Sequence, residues 1–142
     1  MVEKLEVTID VIVHATEDVS KFFEAFEEMF GLADEDFSIQ HTTGHFENPI
    51  TILNSKLVKK QASKFVENLV KLISKEQLNE MINEIEERTV DSRYHIRIDK
   101  QELMNGNLRI KDNETIQIKI HTPIYNKKDT VKTFTEIFQI AT

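Results

Sequence analysis

Leu5, Val7, Ile9, Val11 and Val13 alternate with Glu6, Thr8, Asp10, Ile12 and His14. This period of two predicts a half-buried strand. Thr16 then offers an N-cap to a helix with Val19, Phe22, Phe23, Phe26 and Met29 at helical spacing. Glu17 and Asp18 lie at the positive end of its dipole, and Gly31 is placed to end it. Phe37, Ile39 and His41 resume the alternation. After a break from Gly44 to Pro49, too long for a tight hairpin turn, a second strand runs from Ile50 to about Val58.

Ala62, Phe65, Val66, Leu69, Leu72 and Ile73 form the apolar stripe of a second helix. At about 100° per residue they occupy a sector about 120° wide, and Lys60, Lys64, Lys71 and Lys75 fall within about 60° of one another on the opposite face. Ser74 to Gln77 fits a capping box that opens a third helix, with Leu78, Met81, Ile82 and Ile85 inward. Tyr94, Ile96 and Ile98 alternate with Arg93, His95 and Arg97, giving a strand with one apolar and one basic face. Asp99 to Glu102 can cap a short helical turn carrying Leu103 and Met104, and Asn105-Gly106 signals a turn. Leu108 and Ile110 are expected to pair with Ile116, Ile118 and Ile120 across Asp112-Asn113, so 107–121 reads as a hairpin that Pro123 stops. Val131, Phe134, Ile137 and Phe138 mark a last amphipathic helix. The order predicts an α+β fold: a single two-layer domain over residues 1–142, with a mainly antiparallel sheet and helices packed on it.

Composition narrows the class. At 142 residues, 39% hydrophobic and 30% charged, with 3 Gly and 2 Pro, the chain fits one globular domain and not a disordered one. With no Cys there is no disulfide framework, thiolate metal site or cysteine nucleophile. Met1 to Val13 alternates charged and apolar residues, unlike a signal peptide or membrane span, so a cytoplasmic protein without membrane contact is expected.

Net charge is −7, yet it is segregated. Residues 1–55 carry 2 Lys and 12 acids, residues 56–75 carry 6 Lys and one acid, residues 76–87 carry 5 acids and no base, and residues 88–142 carry 10 bases and 7 acids. Local potential matters more to a polyanion than the total, so two basic stretches in an acidic chain are informative.

Catalytic chemistry finds little footing. His41 and His45 stand four apart, a ligand spacing on a helix, but here they fall on a strand running into a loop. No nucleophile elbow, phosphate-cradling Gly loop or HExxH motif occurs, so no enzyme, metal or cofactor is expected. Basic rows offer more. Lys60, Lys64 and Lys71, preceded by Lys56 and Lys59, can neutralise phosphates. Arg93, His95 and Arg97 form a second row followed by Lys100, and Lys119 and His121 share a strand face that would neighbour it. Phe46 and Tyr125 are the loop candidates for base stacking, a scarcity that favours backbone and shape recognition over base reading. Gly44 and Pro49 should make the loop that leads into the strand from Ile50 rigid, with Asn48 bonding neighbouring backbone.

Three motifs carry a resemblance: His14-Ala15-Thr16-Glu17-Asp18, Gly44-His45-Phe46-Glu47-Asn48-Pro49-Ile50, and Arg97-Ile98-Asp99-Lys100-Gln101. In order and spacing they resemble the small archaeal RNA-binding or exosome-associated subunits, over nearly the whole chain. The sequence departs from that family's pattern at Glu47, Glu102 and Leu103, where smaller residues are usual. The resemblance implies a fold similar to the large-subunit ribosomal protein that binds 5S RNA, and RNA binding without a catalytic centre. The expected function is therefore a non-catalytic RNA-binding protein, associated with RNA processing or degradation through the exosome or other proteins. It would contact structured RNA through Lys60, Lys64, Lys71, Arg93, Arg97, Lys100, Gln101, His45 and Asn48. A homodimer is compatible with the sequence. The alternatives are an interaction subunit docking through its acidic first third, and a small hydrolase built on His45 and nearby acids.

Overall fold

The computed structural model describes residues 4–112 and 115–140. Six strands form one antiparallel sheet: β1 (Glu6–His14), β2 (Ser38–Thr43), β3 (Pro49–Val58), β4 (Thr89–Val90), β5 (Arg93–Asp99) and β6 (Thr115–His121). Their spatial order is β2-β3-β1-β6-β5-β4. The helices are α1 (Val19–Phe30), α2 (Lys59–Leu72), α3 (Lys75–Asn83), α4 (Ile85–Arg88), α5 (Lys100–Met104) and α6 (Thr130–Ile140). Val7, Ile9, Val11 and Val13 of β1, Tyr94, Ile96 and Ile98 of β5 and Ile116, Ile118 and Ile120 of β6 are buried, in one core with Phe22, Phe26, Phe65, Leu69, Phe134 and Phe138 of the helices. The fold is α+β, as the alternation predicts. Among the described residues no helix is long and apolar enough to cross a membrane.

Several local expectations are corrected. Asp18, not Thr16, caps α1: its Oδ1 accepts from the Ser20 backbone N–H at 3.0 Å and the Ser20 hydroxyl at 2.7 Å. On α2 the buried sector takes in Val70 and leaves Leu72 45% exposed. The stripe is rotated by about 30° from the expected one, which puts Leu72 on its rim. Ser74 caps α3 through the Gln77 N–H, but the Gln77 side chain does not close the box; its Oε1 accepts from the Ile110 N–H at 3.2 Å.

The largest correction concerns residues 107–121. Leu108 and Ile110 do not pair with β6. Ile110 instead bridges Ile98 of β5, with the Asp99 N–H donating to the Arg109 carbonyl and the Lys111 N–H to the Arg97 carbonyl. β5 therefore lies between this segment and β6, and Asn113 of the expected turn is outside the described residues. A short hairpin the sequence reading missed joins β4 to β5 through Asp91 and Ser92, both at positive φ (51° and 64°), the signature of a two-residue type I′ turn. Next to it, the Tyr94 hydroxyl donates to the Met81 carbonyl at 3.0 Å, and burial pushes its pKa well above the usual value.

Candidate nucleic-acid interface

The apolar positions of the strands face the helices, so the alternate positions make a second sheet face. Strand register arranges this face in rows. Val58, Glu6, His121 and Arg93 stand side by side across β3, β1, β6 and β5. The next row is Lys56, Thr8, Lys119 and His95, and the one after it Asn54, Asp10, Gln117 and Arg97. Alternation thus brings Arg93, Arg97, Lys119, His95 and His121 together on the β5–β6 half of the face. Ile12 lies opposite Ile52 on the β1–β3 half, and is 49% exposed.

Ion pairs hold several other cations, and His121 of this face lies 3.9 Å from Glu6, whereas Lys60 of α2 has no ion pair among the described residues. Lys56 lies 3.9 Å from Glu6, Arg88 2.9 Å from Glu84, and Lys111 3.7 Å from Asp99. Among the described residues Arg93, Arg97 and Lys119 form no ion pair with a carboxylate. Burial, then Lys119, Arg93 and Arg97, hold the His95 imidazole below its ordinary pKa, which leaves it neutral at pH 7. Protonation at lower pH adds a fourth cation to the cluster. RNA affinity is accordingly expected to rise as pH falls below the ordinary imidazole value, and to rise less in His95→Gln. The sign for stability is the reverse: a depressed imidazole pKa means that folding is favoured above the unfolded-state value and loses that contribution as pH falls through the folded one. Titrations of both proteins across the imidazole range check the slope.

The three family-like motifs meet at one end of the sheet, where β1, β2 and β5 finish and β3 and β6 begin. Glu17 and Lys100 join two of them. Glu17 Oε1 accepts from the His14 backbone N–H at 2.9 Å and from Lys100 Nζ at 3.1 Å. Lys100 Nζ also donates to the Ile12 carbonyl at 2.6 Å and lies 5.9 Å from the Phe22 ring centroid. The expectation that the Lys100 ammonium extends an outward positive edge is corrected: the residue is 8% exposed and ties the β1–α1 junction to the β5–α5 junction. Asp99 does cap α5, accepting from the Gln101 N–H at 2.9 Å, and Gln101 is exposed.

The third motif is the five-residue β2–β3 loop, about 14 Å from β5 at ordinary strand spacing. The Gly44 N–H donates to the Asn48 carbonyl at 2.7 Å. Within the loop it is Glu47, and not Gly44, that adopts positive φ, at 61°. Gly44 is needed for closeness instead, since a Cβ there would meet the Asn48 Oδ1 and the Ile50 side chain at 2.7 Å. His45 is exposed and packs edge-on to Phe46, which is 86% exposed.

Lys60, Lys64 and Lys71 are exposed on α2, whose apolar side packs into the core from the helix layer, so they lie on the side of the molecule away from Arg93 and Arg97. Glu67 sits between two of them, 3.9 Å from Lys64 and 2.7 Å from Lys71, and the Lys71 hydrogen bond, then the charges of Lys64 and Lys71, hold its carboxyl below the usual range. The expected contacts therefore divide into two surfaces. Asp10, Thr115 and Gln117, absent from the expected set, stand beside Arg97 on the open face. His41 bonds the Thr51 hydroxyl at 3.2 Å, and among the described residues no three His, Asp or Glu side chains gather as a metal set.

The antiparallel sheet thus carries its helices on one face and the Arg93, Arg97 and Lys119 cluster on the other. The chain belongs to the RNA-binding family whose model, described as RNA binding, matches residues 6–122. Its relatives include the protein MJ0213 of Methanocaldococcus jannaschii, 33% identical over 137 residues, covering 89% of this chain and 91% of that one. The RNA-binding protein PAB1135 of Pyrococcus abyssi is 31% identical over 139 residues, covering 92% and 90%. The crystal structure of protein AF2318 from Archaeoglobus fulgidus matches with a TM-score of 0.79 at 28% identity, covering 94% of this chain and 99% of that one.

Proposed function

We propose that the protein binds structured RNA, without catalysis, through the open face of its sheet. The observation that carries this is the cluster of Arg93, Arg97 and Lys119, cations on that face with no carboxylate partner among the described residues. Each is free to neutralise a phosphate, while Glu67 would compete for Lys64 and Lys71 on the far side. Guanidinium groups on a flat sheet suit backbone and shape recognition. Family membership and the name of the Pyrococcus relative support the same ligand. Fold kinship with the 5S RNA-binding ribosomal protein and a role beside the exosome extend this reading. Glu24, Glu27 and Glu28 of α1 with Asp34 and Glu35 give an exposed acidic surface where such a protein partner would dock.

A titration with structured and single-stranded RNA at two salt concentrations tests the proposal. Log affinity is expected to fall against log salt with a slope of roughly −0.7 to −0.9 per neutralised phosphate, about −2 to −3 for three contacts. Absence of binding even at low salt would leave the acidic docking surface as the better account.

A further inference from the structure

The β1–β6 ladder ends at Asp10 and Gln117. Beyond it the two strands part, and Lys100 Nζ, not a strand, meets the Ile12 carbonyl. The parting opens a cleft of about 270 Å³ on the open face, lined by Asp10, Ile12, His14, Arg97, Thr115 and Gln117, with Lys100 also in its wall. Building on the RNA-binding reading, we propose that this cleft holds one unpaired ribonucleotide, such as a bulged residue of a structured RNA, and that Asp10 selects it by its 2′-hydroxyl.

Size and chemistry point the same way. The volume lies just under the range of about 300–1,000 Å³ for drug-sized ligands, room for a base with its sugar and not for a duplex. Arg97, with five N–H donors and no ion pair, is the phosphate anchor. Lys100 has three donors, and the Ile12 carbonyl and Glu17 use two, which leaves one for a ligand oxygen. Ile12, half exposed, gives the base an apolar surface to lie on.

Asp10 sets the class of ligand. An ionised carboxylate only accepts hydrogen bonds and repels a phosphate, so the group opposite it must be a donor. Asn54 Nδ2 supplies one such bond, and Asp10 faces the cleft as well. Arg97 and Asp10 stand in one row with Gln117 between them, so the cleft is cationic at one end and accepting at the other. A nucleotide carries the matching pair, a phosphate at one end and ribose hydroxyls beside it. DNA lacks the 2′-donor that distinguishes RNA at such a site.

The test uses the full chain and three labelled hairpins: one fully paired, one with a single-nucleotide bulge, and the bulged one with a single 2′-deoxy substitution at the bulge, the two bulged forms made with all four bulge bases. The bulged hairpin is expected to bind about tenfold tighter than the paired one, and the 2′-deoxy change to cost about three- to tenfold, the factor of one lost hydrogen bond. Asp10→Ala, which removes the acceptor, is expected to bind the bulged and 2′-deoxy hairpins alike, whereas the wild type separates them. Equal, salt-dependent binding of all three hairpins by the wild type would overturn the cleft proposal and leave RNA binding standing. Loss of all RNA binding would overturn the reading beneath it.

Discussion

Replacing Arg93, Arg97 and Lys119 together by Gln is expected to weaken RNA binding about a hundredfold at low salt and to flatten its salt dependence by about two to three slope units. The magnitude follows from three phosphate contacts at about 1 kcal/mol each. Arg93 and Arg97 are exposed, all three side chains lie opposite the buried positions of β5 and β6, and none holds a carboxylate, so folding should change by no more than about 0.5 kcal/mol per site. Gln stays unbranched and polar, though shorter than Arg or Lys, and removes the charge, so the electrostatic term dominates the change. Isotherms at several salt concentrations, with circular dichroism as the folding control, measure both effects. A triple variant that binds with unchanged slope would remove the open face from the interface.

The largest stability effect is expected at Lys100. Lys100→Met preserves most of the apolar stem over Phe22 but leaves the Ile12 carbonyl without the ammonium donor and the Glu17 carboxylate without its cation, with the His14 N–H as its remaining donor. Unpairing a buried charged hydrogen bond costs about 3 kcal/mol or more, but the Glu17 side chain is 29% exposed and water recovers part of it. About 2–3 kcal/mol is expected, a drop in Tm on the order of 10 °C. Glu17→Gln combined with Lys100→Met should cost less than the sum of the two single changes, because the charge left without its counterion is gone. Strict additivity in urea melts would mean that the two side chains act independently.

The contrast between Arg97 and Lys100 shows what the sequence could and could not reveal. Arg97 alternates with Ile96 and Ile98, and a period of two is a local property, so its outward position is legible from neighbours alone. Lys100 lies just past the strand, where alternation stops, and its partner Glu17 is 83 residues away. No spacing rule reaches that far. The same limit explains residues 107–121: Leu108 and Ile110 carry the apolar pattern of an extended segment whether they pair with β6 or with β5, because periodicity specifies a face and not a partner. The rows of the open face depended on strand order in the same way. Lys119 and His95 were each readable as outward, but only the β5–β6 register sets them side by side. The α2 lysines were placed correctly on the polar side of their helix, yet wheel geometry has no knowledge of which side of the sheet the helix covers.

Amide chemical-shift mapping on adding a structured RNA tests the account most directly, because it reads both surfaces in one experiment. Shifts concentrated in β1, β5 and β6, around Asp10, Ile12, Arg93, Arg97 and Lys119, with α2 unmoved, are the predicted result; shifts centred on Lys60, Lys64 and Lys71 with the open face unmoved would contradict it.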